Sequence, residues 1–183
     1  KGFDVIATDS SPDMLMEAQN KAFSEGFNIM FLCQKMQETD LYGTVRAIVC
    51  SLDSINHLEN IEEVEKTFSV LKNFIDDKGI MIFDVNTLYK HRCVLGNNTF
   101  VYDEKNVYCV WQNRLLSDDK TVSINLDFFV KNGQVYERFN ESFKEVAFTD
   151  DELTSAVEKS GFKVIKRYAD LSCKQPCENT ERV

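Results

Sequence analysis

The chain has 183 residues, 43% of them apolar, 28% charged and 11% aromatic, with only two prolines. This composition excludes collagen-like, low-complexity and disordered chains and calls for one packed domain with a modest elaboration. Thirty acidic residues against 21 basic ones leave a net charge of −9, a field that repels nucleic-acid phosphates and anionic lipid surfaces, so neither is expected as a partner.

The first residues, KGFDVIATD, lack the zones of a secretory signal, and no apolar run reaches the roughly 18 residues of a membrane span. Cys33 and Cys50 lie in the apolar runs IMFLC and AIVC, where a free thiol acts as a small hydrophobe. A reducing, cytoplasmic setting without a disulfide framework is expected. Cys173 and Cys177 have no histidine near them in sequence, so no zinc site is expected.

Residues 3–8 form a short β-rich run. The chain thus enters a strand almost at once, with no cap or lead-in, and a further segment is expected upstream. Ser11-Pro12-Asp13 then supplies an N-cap, a proline at the first helical position and a first-turn acid. Met14, Leu15, Ala18, Ala22 and Phe23 are read as one helical face, ended by Gly26. Strands are predicted over 28–33 and 46–50, and a helix capped by Asn60 over 60–76, with Ile61, Val64, Phe68, Leu71 and Ile75 on one face. Lys78-Gly79 turns the chain into a strand over 80–85.

Strands alternating with helices are the pattern of a mainly parallel sheet. From about Thr99 to Glu145 the rhythm changes to strand-like alternation, with turn signals at 103–106, 117–120 and Asn132-Gly133, and predicts a four-stranded antiparallel meander. Thr149-Asp150-Asp151-Glu152 has capping-box spacing and opens a helix ending at Gly161, followed by a strand over 162–168. The expected division is a core of residues 1–88 and 149–183, with residues 89–148 as an inserted β lobe that covers the site.

Ligands of open parallel sheets bind beyond the carboxyl ends of the strands. Four clusters would converge there: Asp9; Gln34-Lys35-Met36; Ser51 through His57; and Asp84-Val85-Asn86-Thr87. A carboxylate between a strand and a capped helix, as at Asp9, can accept two hydrogen bonds from a ribose diol, or can serve as an extra helix cap. Asp53, Asn56 and His57 are either a functional loop or a polar loop capping the helix that follows.

VIATDSSPDMLMEAQNKA resembles the segment following the glycine-rich loop in class I S-adenosylmethionine-dependent methyltransferases. VCSLDSINHL, LKNFIDDKGIMIFDVNTLYK, VYCVWQNRL, FFVKNGQVYERFNESF and ELTSAVEKSGFKVIKRYADL continue the likeness to a bacterial small-molecule subgroup across nearly the whole chain. The resemblance implies a Rossmann-like α/β fold, a mainly parallel sheet with helices on both faces plus the inserted meander, with S-adenosyl-L-methionine as cofactor. Asp9 would bind its ribose, Ser10 and Met14 would line the adenosyl pocket, and Lys35 and Met36 would meet the adenine. Ser51, Leu52 and Asn56 would lie along the methionine portion. Read from the residues alone, Tyr89, Tyr108, Trp111, Phe128 and Tyr136, concentrated in or beside the insertion, either cover the site and exclude water or pack the meander on the core. As a cover they would, with Asp53 and Glu141 on an acidic chain, select a small neutral or cationic acceptor, met by Asp53, Tyr89, Trp111 and Glu141.

The chain departs from the family pattern in three ways. The glycine-rich loop with its strand, and a last strand after Val183, are not in it. Lys35 stands where such enzymes commonly place an acid for the adenine amino group. Phe143 stands where relatives often carry a histidine. Two rival readings remain at this point. One is a nicotinamide-dependent oxidoreductase, which also places an acid after its second strand. The other is a non-catalytic binding domain, which Lys35 keeps in play.

Overall fold

The structure, a computed structural model, describes residues 2–170 and 172–183. Strand β1 (Ile6–Asp9), helix α1 (Pro12–Ser24) and strand β2 (Met30–Cys33) come first, with β1 and β2 parallel from Ile6↔Met30 to Asp9↔Cys33. Ser11 Oγ accepts the Met14 N–H at 3.3 Å and Pro12 sits in the first turn, so α1 starts where the cap signal places it. Only Leu15 and Ala22 of its predicted face are buried. Met14 is 61% and Phe23 88% exposed.

Strand β3 (Val45–Cys50), helix α2 (Ile61–Lys72) and strand β4 (Ile75–Phe83) form the second parallel unit. Asn60 Oδ1 accepts the Glu63 N–H at 2.9 Å, and Val64, Phe68 and Leu71 are buried. The helix ends four residues before the predicted boundary. Ile75 falls one turn after Leu71 and so continues the helical period, but it is the buried first residue of β4, paired with Val45. Gly79 is required within that strand, because a Cβ there would lie 2.5 Å from Ile75 Cγ1 and 3.1 Å from the Arg46 carbonyl oxygen. Among the described residues, the parallel strands make two pairs rather than one continuous sheet.

Strands β5 (Thr99–Glu104), β6 (Val107–Leu115), β7 (Thr121–Asn132) and β8 (Val135–Val146) form the antiparallel meander, in sequential order and with turns at the expected places. A π-helical turn at Lys90–Leu95, not legible in the apolar periodicity, joins β4 to it. Helix α3 (Asp150–Lys159) begins with the full capping box: Thr149 Oγ1 accepts the Glu152 N–H at 3.1 Å, and Glu152 accepts the Thr149 N–H at 2.7 Å.

The predicted strand over 162–168 does not form. Its alternation is strand-like, but no strand lies beside it among the described residues, and Ile165 is exposed. The main core packs Ile55, Val64, Phe68, Val85, Phe148, Leu153, Ala156 and Val157 between α2, α3 and the ends of β3 and β4. A second cluster, Leu95, Val122 and Ile124, lies under the meander, with Trp111, Leu126 and Phe143 packed on it. No helix among the described residues is long and apolar enough to cross a membrane.

Candidate active site

Asp9 closes β1, and its Oδ1 accepts the Ser11 N–H at 2.8 Å. The carboxylate therefore shapes the turn into α1 and keeps its second oxygen without a protein partner among the described residues. The Gln34 N–H donates to the Asp9 carbonyl at 3.0 Å, which sets the end of β2 alongside. Gln34 Oε1 accepts the Asp40 N–H at 3.1 Å, while its Nε2 is buried with no partner. Lys35 is exposed. Met36 is half-buried against the main core, and its sulfur accepts the Cys50 thiol at 3.7 Å, joining the loop after β2 to the end of β3. Burial, reinforced by Asp84, pushes that thiol's pKa up to about 11.

After β3 the chain makes a strained turn. Leu52 and Asp53 are both left-handed, with φ of +58° and +51°, a conformation that costs non-glycine residues about 1–3 kcal/mol and collects at functional sites. The Asp53 N–H donates to Asp84 Oδ2 at 3.2 Å and Ser54 Oγ to the Ser51 carbonyl at 2.8 Å, which holds the turn. The Leu52 side chain is 76% exposed.

Next to this turn, between the ends of β3 and β4 and the meander, lies a cavity of about 260 Å³. Its polar end is Asp53, Asn86, Lys90, Glu145 and Arg182, and its apolar wall is Leu95, Trp111, Leu126 and Phe143. Asn86 organises the polar end: Nδ2 donates to Asp53 and, at 3.1 Å, to Glu145 Oε2, while Oδ1 accepts from Lys90 Nζ at 2.9 Å. Arg182 arrives from the C-terminal segment, which pairs with residues 85–87, and bridges Asp84 and Asp53, the latter at 3.4 Å. Burial opposes its charge, but the two carboxylates outweigh burial and hold it more firmly protonated than an ordinary arginine.

Behind Glu145 is His91, fully buried. Its Nδ1 lies 2.8 Å from the Lys120 carbonyl oxygen, which only accepts, so the hydrogen is assigned to Nδ1. Nε2 has no hydrogen-bond partner and sits 3.7 Å from Glu145 Oε2; His57 Nε2 is 4.0 Å from Oε1. Burial by itself pushes the Glu145 carboxyl up, but His91 and Asn86 beside it and His57 further out outweigh that and hold it below the usual glutamate range.

A family model described as a methyltransferase domain matches residues 1–79. YqeM of Bacillus subtilis (strain 168), which carries a methyltransferase name, is 33% identical over 184 residues, covering 100% of this chain and 74% of YqeM. The chain belongs to the class I S-adenosylmethionine-dependent methyltransferases. It is an enzyme of that family, and S-adenosylmethionine is the family's cofactor. The crystal structure of an S-adenosylmethionine-dependent methyltransferase from Clostridium acetobutylicum ATCC 824 is similar at 32% identity and a TM-score of 0.92, covering 98% of this chain and 72% of that one. The CcbJ methyltransferase from Streptomyces caelestis shares the fold at 14% identity and a TM-score of 0.85, over 99% of this chain and 72% of its own.

The residues at the strand ends suit the cofactor: a free carboxylate oxygen on Asp9, an orphaned amide donor on Gln34, and exposed apolar side chains at Met14 and Leu52. Three of the residues expected at the site are placed differently. Asn56 is fully buried, donates through Nδ2 to the Asn86 and Val146 carbonyls at 3.1 and 2.9 Å, and accepts the Asn86 N–H at 2.8 Å. It ties its loop, the segment after β4 and the end of β8 together and has no surface left for a cofactor. Glu141 is exposed; it shares a face of β8 with Glu145 and sits opposite Leu126 in the register, but it is not among the residues that line the cavity. Tyr89, half-buried, starts the π-helical turn and is not in the cavity lining.

Asp53 and Trp111 do line the cavity, and Ser10 is exposed beside Asp9. Lys90, His91, Glu145 and Arg182 escaped sequence reading. The available signal was the inward alternation Phe143, Glu145 along β8. Asn86 stood in the fourth strand-end cluster without a role.

Proposed function

We propose that the protein methylates a small-molecule acceptor held in the cavity. In this reading, S-adenosylmethionine lies across the strand ends against Asp9, Ser10, Met14, Lys35, Met36, Ser51 and Leu52. Residues 1–88 and 149–183 serve as the cofactor-binding core and residues 89–148 as the cover. The observation that carries the reading is the continuity of the strained Leu52-Asp53 turn, on the cofactor side, with a cavity whose far wall is the meander. At about 260 Å³ that cavity lies just under the range of small-ligand sites, roughly 300–1,000 Å³, which favours an acceptor group of few heavy atoms.

The cofactor supplies an electrophilic methyl on sulfonium sulfur. The protein's task is to hold a nucleophile in line with that carbon at about 3–3.5 Å, so positioning dominates over covalent help. Trp111, packed edge-to-face on Phe100 with ring centroids 5.6 Å apart and donating through Nε1 to Asn113 Oδ1 at 2.7 Å, is a fixed wall suited to orienting an acceptor and excluding water.

Calorimetric titration with S-adenosylmethionine tests the cofactor side. Asp9→Ala is expected to weaken binding by about 1.5–3 kcal/mol, the worth of hydrogen bonds to a charged group. An unchanged affinity removes Asp9 from the site.

A further inference from the structure

The carboxylates around the cavity are not equivalent. Asp53 and Asp84 share the Arg182 guanidinium. Glu145 is 5% exposed, has no lysine or arginine partner among the described residues, and receives one hydrogen bond, from Asn86 to Oε2. Its Oε1 has no donor among the described residues; the His57 imidazole Nε2 stands 4.0 Å away. A buried carboxylate with an open oxygen at the wall of a cavity lacks one thing, a hydrogen-bond donor that carries or develops positive charge.

We propose that Glu145 is the acceptor-binding group of this cavity and that Oε1 receives an N–H of a primary or secondary amine whose hydrocarbon body lies on Trp111 and Phe143. This rests on the reading of the cavity as the acceptor pocket. The amine, an ammonium near neutral pH, first loses one proton to solvent; its nitrogen then forms the new N–C bond with the freed lone pair while the C–S bond breaks and its electron pair moves to sulfur. One positive charge leaves sulfur and appears on nitrogen, so atoms and charge balance with no proton transfer in the step. The methylated ammonium loses its proton to solvent after release.

A carboxylate that lies below the usual glutamate range and is hydrogen-bonded by Asn86 is poorly suited to deprotonate an alcohol. It is well suited to stabilise charge growing on nitrogen in the transition state. The charge balance agrees: Asp53, Asp84 and Glu145 face Arg182 and Lys90, which leaves one net negative charge at the polar end before the histidines are counted.

Trp111 is the chain's single tryptophan and lines the cavity, so its fluorescence reports occupancy. The intact protein is titrated with phenethylamine, 2-phenylethanol and phenylacetate, which match in shape and differ in charge. Phenethylamine is expected to bind at least about tenfold more tightly than either analogue, a difference of about 1.4 kcal/mol, and Glu145→Gln is expected to bring it down to the level of the alcohol. Equal or tighter binding of phenylacetate or the alcohol, no saturable response to phenethylamine, or an amine preference surviving in a folded Glu145→Gln variant overturns the proposal. The wild-type comparison decides the matter even if the variant does not fold. S-adenosylmethionine is titrated into the same samples: if it binds while the amine shows no advantage, only the amine assignment falls, and if it does not bind, the underlying reading falls too.

Discussion

The two halves of the site are built in opposite ways. At the ends of β1, β2 and β3 the candidate cofactor residues Asp9, Ser10, Met14, Lys35 and Leu52 are exposed and bonded mainly to near neighbours in sequence, as Asp9 is to Ser11. In and behind the cavity wall, Asn56, Asn86, His91 and Glu145 are buried and bonded over long separations: Asn56 to Val146 spans 90 residues and Asn86 to Glu145 spans 59. A site of the first kind can change side chains at little cost to the fold. In the second kind, chemistry and stability share the same hydrogen bonds, so loss of one partner leaves buried groups unpaired.

The sharpest test of that contrast is Asn56→Ala, which strips partners from the Asn86 N–H and two carbonyls. A stability loss of about 3–4 kcal/mol is expected, from a penalty of about 1–3 for each unpaired buried group. Urea denaturation measures it, with Asp9→Ala expected to lose less than about 1 kcal/mol on the exposed side. A loss below about 1 kcal/mol for Asn56→Ala breaks the contrast.

Trp111→Ala comes next. Trp111 is only half-buried, so the stability cost is expected at about 2 kcal/mol, under the 3–5 typical of fully buried aromatics. Turnover with any acceptor found for the parent should fall far more than cofactor affinity, because orientation is lost while the strand-end contacts remain. Full activity in the variant rules out the covering role.

Leu52→Gly should work in the other direction. Glycine adopts the +58° φ of Leu52 without steric cost, so thermal stability is expected to rise by up to about 1 kcal/mol. Cofactor affinity should fall as the exposed side chain is lost. A melting temperature that drops shows that the turn is held by the side chain and not opposed by it.

The smallest effect concerns pH. Glu145 is held below the ordinary glutamate value of 4.5 in the folded state, so its contribution is fully present above that value and is lost as pH falls through the folded pKa. Melting temperature measured from neutral pH into the acid range is expected to decline less steeply below about pH 4.5 in Glu145→Gln than in the parent. Identical acid limbs contradict the assignment of an ionised Glu145.

What could be read from the residues follows the range of the interactions involved. Caps act within one turn, so Ser11, Asn60 and Thr149 announced the starts of α1, α2 and α3. The period-2 pattern with turn signals announced all four strands of the meander, because adjacent antiparallel strands need only short connections. The strand-end position of Asp9 was legible for the same local reason. Wherever a partner distant in sequence decides the outcome, the residues alone were silent or misleading. Ile75 kept the helical period yet became the start of β4 because Val45 lies beside it. Residues 162–168 alternate like a strand and pair with none among the described residues. Asn56 has the look of a site residue and is spent on holding three elements together. Glu141 and Glu145 sit on the same face of one strand, and only the packing of β8 over the ends of β3 and β4 determined which carboxylate meets the cavity. That choice depends on burial and on electrostatic partners brought from Asn86, His91 and His57, and such terms exist only once the chain has folded.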